Sequence, residues 1–172
     1  MADEPPSAFS KLEEVRAERV IGVSPDLLWS LWTTKAGLES WWSPEGFTMK
    51  VVALQVRPGG RIDFRYEDAA MAGNPEGREK LRVYGTRPTW SAEGIFLEVD
   101  PLRRLAFRQT LDFDLPANRQ AFGMTADFRS EPAGTRLILT AAATPSKHWT
   151  LLARANLIGQ LERLARGGAT AP

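Results

Sequence analysis

Residues 61–66 (RIDFRY) alternate cleanly, with Ile62, Phe64 and Tyr66 on one side and Arg61, Asp63 and Arg65 on the other. A period of two predicts a half-buried strand whose apolar face meets a core and whose charged face meets solvent. Partial alternation over Glu14–Val23 predicts a strand before it, and Phe47–Val56, with Val51, Val52, Leu54 and Val56, a second. Arg57-Pro58-Gly59-Gly60 links Phe47–Val56 to Arg61–Tyr66 as a hairpin turn, because proline presets one dihedral and glycine accepts the positive one that follows. Trp90–Val99, Arg104–Leu111, Arg119–Ser130 and Thr135–Ala143 read as four further strands, separated by turn-forming clusters rich in proline, glycine and asparagine. Short links between successive strands make an antiparallel meander the economical topology.

Helical spacing appears in three places. Ser24-Pro25-Asp26 combines a capping oxygen, a proline that needs no amide partner and an acid near the positive helix end. Leu28, Leu31 and Trp32 follow at three- and four-residue spacing, and the helix should stop near Thr33–Thr34. A second short helix is predicted from Lys35 to Trp42, before Pro44. Thr144-Pro145 opens the last helix, which should run to about Arg166, stop at Gly167-Gly168 and present Trp149, Leu152, Ala155, Ile158, Leu161 and Ala165 inward. Between Glu67 and Pro88 the pattern breaks into an inserted connection, in which Asn74-Pro75-Glu76 predicts a short helix near 75–83. Such a connection is a candidate lid.

One domain over residues 14–166 follows, with a loose arm at 1–13 and a frayed tail at 167–172. The 172 residues suffice for a full core, and 43% apolar with 25% charged content is that of an ordinary globule. A net charge of +1 argues against nucleic acid as partner, since phosphate binding needs a concentrated basic surface. The absence of cysteine removes disulfides, thiolate metal sites and cysteine nucleophiles, and fits a cytoplasmic location. No apolar run reaches the ~20 residues of a membrane helix, and the acidic, proline-bearing start is unlike a signal peptide.

Candidate chemistry is sparse. Trp29 and Trp32 read as core plugs. Trp41 and Trp42, being adjacent, diverge by about 100° on a helix, so one should pack and Trp42 should lie nearer a pocket rim. The inward rows Ile62/Phe64/Tyr66, Leu105/Phe107/Gln109 and Phe122/Met124/Ala126/Phe128 would wall a pocket. In Trp90–Val99 the period does not choose a face; we place Ile95, Leu97 and Val99 inside, which turns Glu98 outward. Tyr66 and Gln109 are the polar groups such a wall would use to orient a ligand. His148, in the first turn of the last helix, has no acid beside it in sequence and reads as solvent-exposed. A single histidine without cysteine argues against a transition-metal site, and no cofactor is expected.

The element order, with S-P-x-x-L-W-x-L-W-T at 24–33, W-W-x-P-x-G-F at 41–47 and R-P-G-G-R at 57–61, resembles the SRPBCC superfamily of helix-grip domains. Within it the chain is similar to the group related to the C-terminal domain of the activator of the ninety-kilodalton heat-shock protein ATPase. The resemblance implies an α+β fold, a curved antiparallel sheet of six to seven strands around a long C-terminal helix. It also implies an elongated hydrophobic pocket between them, since relatives bind lipids, sterols, hormones and polyketides. On this footing the expected ligand contacts are Trp42, Phe64, Tyr66, Leu97, Phe107, Gln109, Met124, His148, Leu152 and Asn156, with no catalytic residue assigned. The alternatives are a cyclase or hydrolase using His148 in the same pocket, or a chaperone-interaction module; a homodimer is left open. About fourteen residues precede the domain, so the N-terminal chaperone-binding domain of the two-domain eukaryotic activators is not expected here.

Overall fold

The computed structural model describes residues 14–68, 75, 78, 79, 82, 88–112, 121–142 and 147–168. Its strands are β1 (Val15–Ile21), β2 (Phe47–Leu54), β3 (Ile62–Asp68), β4 (Thr89–Asp100), β5 (Arg104–Leu111), β6 (Ala121–Glu131) and β7 (Gly134–Ala141). The helices are α1 (Pro25–Thr33), α2 (Lys35–Trp41) and α3 (Lys147–Gly168). The predicted α+β architecture is present: one seven-stranded antiparallel sheet in the order β1-β7-β6-β5-β4-β3-β2. The meander from β2 to β7 brings the chain back beside β1, and α1 and α2 carry it between the two edge strands.

The local signals act as predicted. The Ser24 side chain accepts from Leu27 N at 3.3 Å, and Thr34 closes α1 while its hydroxyl accepts from Gly37 N at 3.1 Å to start α2. Gly59 has φ +76°, and the turn it makes is clasped by β4: Gly59 N donates to Phe96 O at 2.8 Å and Phe96 N to Gly60 O at 2.9 Å. Edge strand β2 is blocked by α2, since Glu39 Oε1 accepts from Val51 N at 2.8 Å and Lys35 Nζ donates to Val52 O at 3.4 Å. Such capping denies the free edge to another chain. Pro75, Arg78, Glu79 and Arg82, within the predicted insertion helix, are helical; the rest of 69–87 lies outside the described residues.

Four expectations need correction. Leu97 is 53% exposed while Phe96 is buried. The β4–β5 register shifts between Phe96 and Glu98, so Leu97 is the extra residue of a bulge and the inward face changes phase there. On α3 the buried positions are Leu157, Gln160, Leu161 and Leu164, whereas Ala155 is exposed and Ile158 45% exposed. The helix is thus rotated from the predicted stripe, because Leu157 and Ile158 are both apolar and α3 packs on β1 and α2 rather than squarely on the meander. It also continues through both terminal glycines to Gly168. Finally, Asp63 points to the side opposite Ile62 and Phe64, yet it is buried.

Asp63 is explained by a break in the β3–β4 ladder. Regular pairing covers Phe64–Glu67 against Thr89–Ala92, and only the Arg61–Ile95 bridge continues beyond it. Two side chains repair the gap. Asp63 Oδ1 accepts from Gly94 N at 3.0 Å, with its carboxylate ion-paired to Arg61, and Gln109 Nε2 donates to Ile62 O at 3.1 Å. Gly94 makes this possible, since a Cβ there would stand 2.2 Å from Arg108 O and 2.6 Å from Gln109 Cγ. Replacing Gln109 by leucine should cost about 1–3 kcal/mol, the usual penalty for a buried carbonyl left unpaired, measurable as a lowered urea midpoint with an unchanged slope.

Candidate functional site

The concave face of the sheet is an aromatic wall. Tyr66 stacks on Trp90 with centroids 3.8 Å apart and planes 14° apart, because the two residues are register partners on β3 and β4. Phe47 meets Trp90 edge-on at 6.1 Å, and Phe64 meets Tyr66 at 6.2 Å. Further along, Phe107 pairs with Met124 in register and lies 6.2 Å from Phe96 and 6.4 Å from Trp42. Edge-to-face contacts of this kind add to area burial. Trp42, Phe64, Tyr66, Phe107, Gln109 and Met124 are all buried and belong to this region.

Trp41 and Trp42 are both buried, contrary to the expectation of one at a rim. Trp42, the C-cap of α2, keeps helical dihedrals, and its ring lies 5.2 Å from Trp32 and 6.4 Å from Phe107. Trp41 lies 4.9 Å from Trp32 and 5.2 Å from Trp42, so the three indoles form one cluster that buries both neighbours. Trp41 Nε1 donates to Leu31 O at 3.2 Å, which locks α2 to α1. The open carbonyls at the end of α2 are capped from α3: Gln160 donates to Trp42 O, and Arg163 donates to Ser43 O and, at 3.4 Å, to Trp41 O. Neither Gln160 nor Arg163 has a local sequence signal, because the carbonyls they cap lie more than a hundred residues earlier. Burial pulls the Arg163 guanidinium below its usual range, partly offset by the charge of Glu45. Replacing Gln160 by alanine should cost about 1–3 kcal/mol and raise amide exchange along α3, read by hydrogen–deuterium exchange.

Tyr66 supplies the hydroxyl of the wall. Burial pushes its phenol above the ordinary tyrosine value, and the Trp42 indole bonded to it offsets part of that rise. The unfolded chain releases this proton near pH ~10 and the folded chain retains it. The stability this linkage carries is therefore intact below pH ~10 and falls as pH rises further. In a Tyr84→Phe background, tyrosinate absorbance should appear only together with loss of circular dichroism.

The four remaining expected contacts lie outside this buried wall or outside the described residues. Leu97 faces outward, Leu152 is half-buried, Asn156 is exposed, and the His148 side chain lies outside the described residues. Trp90 and Phe96 join the wall instead. A separate depression of about 320 Å³, lined by Ser91, Glu93, Thr110, Leu111 and Asp112, lies at the far ends of β4 and β5. Its Ser91, Glu93 and Thr110 face the opposite side from the aromatic wall. No group of three or more metal-ligating side chains occurs among the described residues.

A family model described as Activator of Hsp90 ATPase homolog 1-like protein matches residues 22–166. The chain belongs to that family. Solved structures of similar fold include protein CV1439 from Chromobacterium violaceum, 20% identical over 89% of this chain and 94% of that one, with a TM-score of 0.72. A protein from Silicibacter pomeroyi, itself described as of this family, is 20% identical with a TM-score of 0.70 over 92% and 99% of the two chains. DynU16, described as a putative protein in the dynemicin biosynthetic locus, is 15% identical with a TM-score of 0.61 over 89% of this chain and 46% of that one. At such identities the likeness is one of fold. No curated protein matches the chain. The family match covers α1, α2, β2–β7 and nearly all of α3, so the tryptophan cluster and the aromatic wall both lie inside it.

Proposed function

We propose that this member of the activator-like family binds a small hydrophobic or amphipathic molecule between the aromatic wall and the N-terminal half of α3. The observation that carries this reading is the unequal seating of α3. Its C-terminal half is fixed by buried Leu157, Leu161 and Leu164 and by the Gln160 and Arg163 caps. In the half before it, Leu152 is only half-buried and Asn156 exposed. A ligand entering there would meet Trp42, Phe64, Tyr66, Phe107 and Met124, and the buried groups of this wall are uncharged. Burying an ionised group against it would be costly, so the inserted end of the ligand is apolar. Apolar burial contributes roughly 25 cal/mol per Å², and the Tyr66 hydroxyl is the orienting group. Gln109, committed to Ile62 O, has a structural role instead.

The test is a fluorescence titration with an anilinonaphthalene sulfonate probe, followed by displacement with a long-chain fatty acid. Saturable one-site binding is expected, weakened about tenfold or more by Leu152→Glu, which sets a charge at the entrance at a cost of a few kcal/mol. Absence of saturable binding would reject the reading, and an unchanged Leu152→Glu affinity would reject its location.

A further inference from the structure

The side of α3 that faces away from β1 and α2 carries a second apolar stripe. Leu151 is 55% and Ile158 45% exposed, and Ala155 between them is exposed as well. Positions 151, 155 and 158 fall on one helical face, so these are contiguous apolar groups and not scattered ones. Solvated apolar stripes on a helix mark contact surfaces. Exposed Arg154 and Glu162 border the stripe, four residues before and four after Ile158. Among the described residues neither of the two makes an ion pair in the monomer.

This spacing is self-complementary. We propose that the outward face of α3 docks a second copy of this chain, antiparallel, about a two-fold axis at Ile158. A two-fold axis places each residue opposite the one equally far on the other side of the axis. Ile158 then meets its own counterpart, and Leu151 of one copy lies over the edge of the other where Ala165, half-buried against its own core, leaves room for it. Arg154 of each copy faces Glu162 of the other, giving two ion pairs of opposite sign. A parallel arrangement would bring Arg154 onto Arg154 and Glu162 onto Glu162. Charge complementarity therefore selects both the partner and the orientation. The contact spans about 22 Å of helix at 1.5 Å per residue. A single helix face is smaller than the ~800 Å² per partner of a stable interface, so the dimer is weak and concentration-dependent. It is independent of ligand binding, because the stripe points away from the aromatic wall.

Sedimentation equilibrium of the full chain tests this. From about 10 μM to 1 mM, the wild type should rise from monomer mass towards twice that value, the range in which weak interfaces of this size associate. Arg154→Glu alone and Glu162→Arg alone should each associate at least tenfold more weakly, with circular dichroism unchanged. Mixing the two variants should restore association, because each then offers the charge the other needs, and the double reversal should restore it within one chain. A wild type that stays monomeric throughout overturns the proposal. So does association that the single reversals leave intact, or mixtures that associate no better than either variant alone.

Discussion

Replacing Trp32 with alanine should destabilise the protein by about 3–5 kcal/mol, the range for deleting a fully buried aromatic side chain. Trp32 is 2% exposed and sits where three rings converge: Trp41 at 4.9 Å, Trp42 at 5.2 Å and Phe128 at 6.0 Å. Its loss would open a cavity among α1, α2 and β6 that the neighbouring rings cannot collapse to fill, because each is fixed by its own element. Trp29, half-buried and set against Phe128 alone at 5.3 Å, should cost clearly less on the same change. Phenylalanine at position 32 should recover most of the loss, since the Trp32 indole nitrogen has no hydrogen-bond acceptor to forfeit. Urea denaturation of the three variants, compared at constant slope, measures the order.

Gly94→Ala should be nearly as damaging, at about 3 kcal/mol or more, in the range reserved for a backbone clash within a core. The added methyl would meet the Arg108 carbonyl at 2.2 Å, so β4 and β5 must separate. That movement would also draw Gln109 from Ile62 O and the Gly94 amide from Asp63, undoing both repairs of the β3–β4 gap. Gly123, on β6, is the control: a Cβ there meets nothing within 4 Å, and alanine should be neutral or stabilising by a few tenths to ~1 kcal/mol. A thermal melt in which the two substitutions have equal effect would contradict the role given to Gly94.

The fold was legible wherever the apolar period was unambiguous. Ile62/Phe64/Tyr66 and Leu105/Phe107/Gln109 face the core as their alternation predicts, the Ser24 cap sits where its chemistry places it, and α1 ends at Thr33, where its pattern stops. Pattern failed where apolar residues run together. Ile95-Phe96-Leu97 offers either face, and only pairing with β5 reveals the bulge that turns Leu97 out. Leu157-Ile158 on α3 offers either stripe, and the choice is made by β1 and α2. Trp41-Trp42 reads as a helical pair of which only one ring packs, yet both are buried: Trp42 keeps helical dihedrals, and α1 covers Trp41 while Phe107 and Trp32 cover Trp42. The polar connections were the least legible, because they join distant segments: Gln109 reaches a carbonyl 47 residues away, and Gln160 one 118 residues away. Asp63 occupied an outward slot in the alternation and gave no sign that a gap in the next ladder would bury it.

The central proposal, that an apolar molecule is held beneath the N-terminal half of α3, is tested most directly by native mass spectrometry of protein purified from its own host. A complex heavier than the bare polypeptide by the mass of one small apolar compound, released on unfolding and depleted in Leu152→Glu, is the predicted result. A folded protein that flies at its bare polypeptide mass, and stays so after incubation with a lipid extract, would contradict it.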